Sequence, residues 1–279
     1  MIPFDFEYYK PDTITEAIQT FQDMESQRKK VIYYSGGTEF ITFSRINKLS
    51  ADAIIDLKGI PECQVLESQG DLLVFGSAVS LNKITQSNLF PLLGQAVKQI
   101  ADHTSRNKIT IGGNLHSRLI YREAALPLLL ADAQVKIAGK DGEQIVDLKD
   151  IFQQEMKLEP GQFLVQILVE KSYGASQYVS LKKTKVSKVG YPVVSLAAVA
   201  KDSQIRAAFS GVCAYPFRSI QMEAALNDTS LPIEKRIEQA LHLLPAPIID
   251  DIQASRDYRE FVLINALKDA MDALKGAVS

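Results

Sequence analysis

Two short stretches of this chain hold residue types that can grip an anion through the main chain. In VIYYSGGTEF the apolar run Val31 to Tyr34 stops at Ser35, Gly36, Gly37 and Thr38, with Glu39 behind them. In SRNKITIGGNLHSR the strand-like run Ile109 to Ile111, with Thr110 inside it, stops at Gly112, Gly113 and Asn114. Glycine has no Cβ, so its backbone can take positive φ and bring N–H groups close to a phosphate, while Thr and Asn add side-chain hydrogen bonds. Two such amide-rich turns would serve a diphosphate without a lysine. Either pair alone reads more readily as a plain turn than as a ligand site; the ordered combination carries the inference. Glu39 and Glu123 are candidates for a carboxylate pair in acid–base chemistry. His103 and His116 flank the second turn, either as surface loop residues or as groups that tune a ligand. Neither the G-x-G-x-x-G nor the G-x-x-x-x-G-K-[ST] pattern occurs, which disfavours a Rossmann dinucleotide site or a P-loop.

The rest of the chain must position those turns, and its composition limits how. With 279 residues, 46% hydrophobic and 23% charged, there is material for one large domain or two of average size. Lys plus Arg number 31 against 33 for Asp plus Glu, so net charge −2 gives no case for nucleic acid or an anionic membrane as partner. No stretch reads as a membrane span and the Met-Ile-Pro-Phe-Asp start has no leader pattern, so the expected location is cytoplasmic. Cys63 and Cys213 lie far apart in sequence and read as small core residues.

Pattern along the chain predicts an α+β protein. A short strand over Phe4 to Tyr9, a helix to Gln22 capped by Asp12 or Thr13, a strand over Val31 to Tyr34 and another over Ala53 to Leu57 make a β-α-β unit. The first glycine turn then falls at the carboxyl end of a strand, where ligands favour α/β sheets. Strands follow at Cys63 to Ser68 and Asp71 to Gly76, a helix capped by Ser80 or Asn82, and a helix over Phe90 to Ala101. Beyond the second turn come a hairpin over Ala133 to Ala138 and Gln144 to Asp147, and a strand over Gln162 to Val169. A boundary is expected near Lys171 to Ala175. Strands at Tyr178 to Leu181, Val193 to Ala200 and Gln204 to Val212 suggest an antiparallel sheet, before helices at Ser219 to Leu226, Ile233 to Leu244 and Ser255 to Leu274. The last helix is expected to bury Phe261, Ile264, Leu267 and Met271.

The turns SGGTEF and RNKITIGGN, together with the ending DIQASRDYREFVLINAL, resemble the FAD-binding, or medium, subunit of the molybdenum hydroxylases, the group of xanthine dehydrogenase, carbon monoxide dehydrogenase and nicotinate dehydrogenase. The resemblance covers essentially the whole chain, and the second turn is its most specific part. It implies an FAD-binding domain over residues 1–172, of two α+β subdomains at about 1–58 and 59–172, and a C-terminal α/β domain over 173–279. It places Ser35, Gly36, Gly37, Thr38 and Glu39 on one diphosphate loop and Thr110, Ile111, Gly112, Gly113 and Asn114 on the other. Glu123 falls where the family usually has an aspartate bordering the cofactor, and Lys188 and Tyr191 where the C-terminal domain meets the isoalloxazine. Tyr191 reads equally as a plain core tyrosine at a strand start. The patch Lys182, Lys183, Lys185 and Lys188 reads first as a solvated face, and otherwise as a dock for an acidic partner or a counter-charge to the flavin's phosphates. Gly190, in VSKVGYP, stands where many members carry an aspartate, and HSRLIYRE lacks the small Ser/Ala-Pro pattern common there.

The function so implied is transfer of electrons from partner iron–sulfur clusters through FAD to NAD+ or another acceptor, beside a large molybdopterin-binding subunit and a small 2Fe-2S subunit, with a dimer of heterotrimers as a candidate assembly. No side-chain nucleophile and no metal site of this chain are expected. Two other readings stay open: a free-standing FAD-dependent NAD(P)H oxidoreductase, and a cofactor-free interaction protein on the same fold.

Overall fold

Three main sheets follow one another along the chain, and the computed structural model describes residues 2–277. In the first unit, β1 (Glu7–Tyr9), α1 (Ile14–Ser26), β2 (Val31–Tyr34), α2 (Thr38–Arg45) and β3 (Ala53–Asp56) alternate, and the strands pair in parallel in the order β1-β3-β2. Thr13 caps α1, its hydroxyl accepting from the Glu16 amide at 3.1 Å. The helix outruns the expected end at Gln22 because Met24 supplies another buried residue on the same stripe as Ile14 and Ala17. Phe4 and Phe6 fall outside β1; their rings meet Phe40 of α2 edge-on at 6.5 and 5.7 Å, an aromatic cluster under the sheet.

In the second unit, β4 (Leu66–Gln69) and β5 (Leu72–Gly76) lead into α3 (Leu81–Ser87), α4 (Pro91–Lys98), α5 (His103–Arg106), α6 (Ile111–Leu115) and α7 (Ala125–Leu130). There follow β6 (Gln134–Gly139), β7 (Gly142–Asp147), α8 (Leu148–Ile151), the small pair β8 (Phe152–Gln153) and β9 (Glu155–Met156), and β10 (Phe163–Glu170). The five long strands form an antiparallel sheet in the order β4-β5-β10-β6-β7. Two expectations change here. Cys63 lies in a 3-10 turn started by Pro61, whose fixed φ and missing N–H suit a helical start better than a ladder. The run Ile109 to Ile111 is no strand: Thr110 makes one isolated bridge to Ser80, and Ile111 already begins α6.

After a 3-10 segment, Lys171–Ala175, the third unit has β11 (Tyr178–Thr184), β12 (Pro192–Lys201), β13 (Gln204–Ser210) and β14 (Phe217–Arg218) in one antiparallel sheet. It ends in α9 (Ile220–Leu226), α10 (Ile233–His242) and α11 (Arg256–Leu274). Alternation along β12 sends Ala197 and Val199 into the core that holds Leu126, Leu128 and Leu130 of α7, and Leu196 and Ala198 into the core under α11. The buried stripe of α11 is Arg259, Val262, Leu263, Ala266, Leu267, Ala270, Met271 and Leu274. Leu267 and Met271 are buried as expected, whereas Phe261 points outward, 62% exposed. Among the described residues no helix is long and apolar enough to cross a membrane.

Candidate functional site

The two glycine turns meet. A Cβ added at Gly36 would stand 2.1 Å from the Lys108 carbonyl oxygen and 3.2 Å from the Thr110 nitrogen, so the first turn lies directly on the segment that leads into the second. Gly37 has φ +72°, a left-handed conformation that ends β2 and starts α2, and a side chain there would run into the Tyr34 hydroxyl at 2.1 Å. No side chain caps α2. Among the described residues no protein acceptor meets the amides of Gly36, Gly37 and Thr38, and the buried Ser35 hydroxyl has no hydrogen-bond partner. Unpaired donors at a helix N-terminus attract an anion.

The second turn is built differently from the sequence expectation. Gly112 and Gly113 sit inside α6, and neither has positive φ. The amides are already spent: Ile111 donates to the Val79 carbonyl at 3.0 Å, Gly112 to Ser77 at 2.9 Å, Asn114 to Thr110 at 2.9 Å, and Gly113 to the Thr110 hydroxyl at 3.2 Å. Gly112 is glycine because Ser77 is close; a Cβ would stand 2.8 Å from its carbonyl oxygen. What this turn still offers is the Asn114 side-chain amide, whose oxygen accepts from the Ala124 amide at 3.2 Å while its NH2 group meets no acceptor among the described residues. Glu39 ties the turns together, accepting from the Ser117 hydroxyl at 2.6 Å and the Arg118 amide at 2.8 Å.

The other candidates lie along the seam between the second and third units. Glu123 is buried, with Lys182 Nζ 3.2 Å from its carboxylate and the Ser195 hydroxyl donating to it at 2.7 Å. Burial pushes its pKa above the usual carboxylate range, against the pull of Lys182 and Ser195. It makes no pair with Glu39, since each carboxylate has its own partners. Tyr191 is 48% exposed at the start of β12, and its ring stacks on Tyr121 at 4.8 Å and 15°. Lys188 is exposed in the same loop. The lysine patch is split: Lys182 is buried in its ion pair, and Lys185 donates to the Ile252 carbonyl at 2.9 Å. His103 and His116 are exposed, and the buried Cys63 and Cys213 thiols are pushed up to about 11 chiefly by burial. Among the described residues no group of His, Cys, Asp and Glu could hold a metal ion.

One residue of the site escaped the sequence reading. Lys58 donates to the Ser35 carbonyl at 2.6 Å and to both Asp56 oxygens at 2.8 Å, and lies 4.6 Å over the Tyr34 ring. The signal was the Asp-x-Lys after β3, which parallel register sets beside the end of β2 through the Tyr34–Asp56 pair.

These features suit FAD: unpaired amides, an orphan hydroxyl, and a glycine approach that any side chain would block. Comparison with known proteins agrees. Residues 4–170 match the family model described as the FAD binding domain in molybdopterin dehydrogenase. The chain is 29% identical over 157 residues to the carbon monoxide dehydrogenase medium chain of Hydrogenophaga pseudoflava, a match spanning 54% of this chain and 53% of that one. It is 23% identical to the nicotinate dehydrogenase FAD-subunit of Eubacterium barkeri over 98% of both. A solved carbon monoxide dehydrogenase from Hydrogenophaga pseudoflava, one that lacks the Mo-pyranopterin moiety of its cofactor, shares the fold with a TM-score of 0.85 at 24% identity, covering 98% of each chain. The chain therefore belongs to the family of FAD-binding domains of the molybdopterin dehydrogenases.

Proposed function

We propose that this chain is the FAD-binding electron-transfer subunit of a molybdenum hydroxylase. The observation that carries the proposal is the convergence of the two turns, with the amides of Gly36, Gly37 and Thr38 and the Ser35 hydroxyl left without protein partners among the described residues. Ser35, Gly36, Gly37, Thr38 and Glu39 would hold the diphosphate from one side. Thr110, Ile111, Gly112, Gly113 and Asn114 would close the other, chiefly by shape and by the Asn114 amide. Glu123, Lys188 and Tyr191 would border the ring system, with Glu123 acting through the seam that it locks and Tyr191 through its exposed face. The residues orient the cofactor and exclude water, and bound FAD supplies the redox chemistry.

Partners follow from the family and from the relatives, several of which are named as medium chains or FAD-subunits of larger dehydrogenases. We assign a large molybdopterin-binding subunit and a small 2Fe-2S subunit, with NAD+ as a candidate acceptor. Domain limits at 1–172 and 173–279 accord with the sheet boundaries. The test is the absorption spectrum of the purified protein, with bands expected near roughly 370 and 450 nm as for any oxidised flavin, and mass identification of the released nucleotide as FAD. A colourless protein that takes up no FAD on titration would overturn the reading. Purification from its own source without two larger and smaller companions would favour a free-standing oxidoreductase instead.

A further inference from the structure

We propose that Lys58 is a positioning residue that aims the Gly36 amide at the cofactor, an inference that rests on the FAD reading above. In a trans peptide the carbonyl and the following N–H point in opposite directions. Lys58 Nζ holds the Ser35 carbonyl oxygen at 2.6 Å, so the Gly36 N–H of that same peptide points away from Lys58, and among the described residues no protein acceptor receives it. The lysine is itself fixed. Asp56, buried at 2% exposure, takes both of its oxygens to Lys58 Nζ at 2.8 Å and accepts the Lys58 backbone amide at 2.9 Å and the Tyr8 hydroxyl at 2.6 Å. The bond to Asp56, then burial, pushes the Tyr8 hydroxyl up to about 12. Below the turn, the Tyr34 ring lies against both Lys58 and the position where a Gly37 side chain would be.

Tyr8, Asp56, Lys58 and Ser35 thus form a chain of hydrogen bonds that ends on the peptide whose other face carries the open donor. Each strand of the first sheet contributes to it: β1 gives Tyr8, β3 gives Asp56, and Ser35 follows β2. The pair Asp56 and Lys58 is neutral overall, so a diphosphate meets aimed amides from this unit rather than excess positive charge.

The experiment titrates FAD into flavin-stripped full-length protein and its variants, with the unfolding midpoint read in parallel. Lys58→Met should raise the FAD Kd roughly tenfold or more, the usual scale for a lost charged hydrogen bond, and should lower the unfolding midpoint as well, since the buried Asp56 carboxylate loses its cation. Lys58→Arg, which can still donate to the Ser35 carbonyl, should restore most of the affinity. The double variant Asp56→Asn, Lys58→Met should recover much of the midpoint yet bind FAD as weakly, because neutralising the carboxylate does not re-aim the peptide. Wild-type affinity in Lys58→Met, or full recovery of affinity in the double variant, overturns the inference while leaving the FAD reading intact. Affinity that follows the unfolding midpoint across Lys58→Met, the milder Lys58→Gln and the double variant overturns it as well. If the wild-type protein binds no FAD, both readings fall together.

Discussion

Glu123 carries a carboxylate to a position 6% exposed, and what makes that tolerable is Lys182 at 3.2 Å with Ser195 at 2.7 Å. Removing one member of a buried pair costs about 3–5 kcal/mol, because the other is left charged without compensation. Lys182→Met should lose about that much stability near pH 8 and less near pH 5, because burial favours the neutral form of Glu123 and acid moves the carboxyl toward it. The sign follows from its raised pKa. The folded form binds the proton more tightly than the unfolded form, so this contribution is present below the ordinary glutamate pKa and is lost as pH rises through the higher folded one. Urea melts at the two pH values measure the difference, and an equal loss at both would sink the assignment. Glycine substitutions at the second turn separate packing from donation. Gly112→Ala meets the Ser77 carbonyl oxygen at 2.8 Å and should cost about 1–3 kcal/mol in a urea melt. Gly113→Ala, facing solvent with only the Thr110 hydroxyl at 2.9 Å, should cost less.

Helix α11 shows what an apolar pattern leaves open. Phe261 is the most conspicuous apolar residue of the helix yet lies 62% exposed, while Arg259 is fully buried, donating to the Val193 carbonyl at 2.6 Å, to Gly211 at 2.7 Å and to Asp251. Arg259→Met should therefore destabilise strongly, by about 3 kcal/mol or more, since it strands two buried carbonyls. Phe261→Ser should stay within about 0.5 kcal/mol in the same denaturation assay. Element types and caps were legible because their chemistry is local: Thr13, Ser80, Ser219 and Ser255 each cap a helix by accepting from an amide three residues on. Helix α6 was not, because two glycines in a row argue against a helix; its amides are held by Ser77 and Val79, which are distant in sequence. For the same reason Gly112 was expected for its φ and proved necessary for its closeness to Ser77. The first turn was legible because Gly37 does adopt the left-handed φ. Lys58 was missed because its role depends on β2 lying beside β3, a pairing that residue patterns propose without placing side chains.

At the scale of the whole molecule, the seam between the second and third units decides whether they behave as one. Arg206 and Arg218 of the third sheet both reach Asp132, at 2.6 and 2.7 Å, but that carboxylate is half exposed, and such pairs are worth about 0–1 kcal/mol. The apolar contact is of another kind: Ala197, Val199 and Ala208 share a core with α7, with Val199 only 1% exposed. If burial holds the seam, the full chain unfolds in one cooperative transition, followed equally by near-UV signal and by cleavage within Lys171–Ala175. Asp132→Ala should leave that single transition in place and shift it by no more than about 1 kcal/mol. Val199→Asp places an unpaired carboxylate in the shared core, so it should expose the 3-10 segment to protease well before the second sheet melts. Two transitions in the wild-type chain, or a greater loss from Asp132→Ala than from Val199→Asp, would mean that the surface arginines rather than the buried contact couple the two units. The position of Glu123 on that same seam would then no longer link the order of the cofactor cleft to the packing of the third sheet.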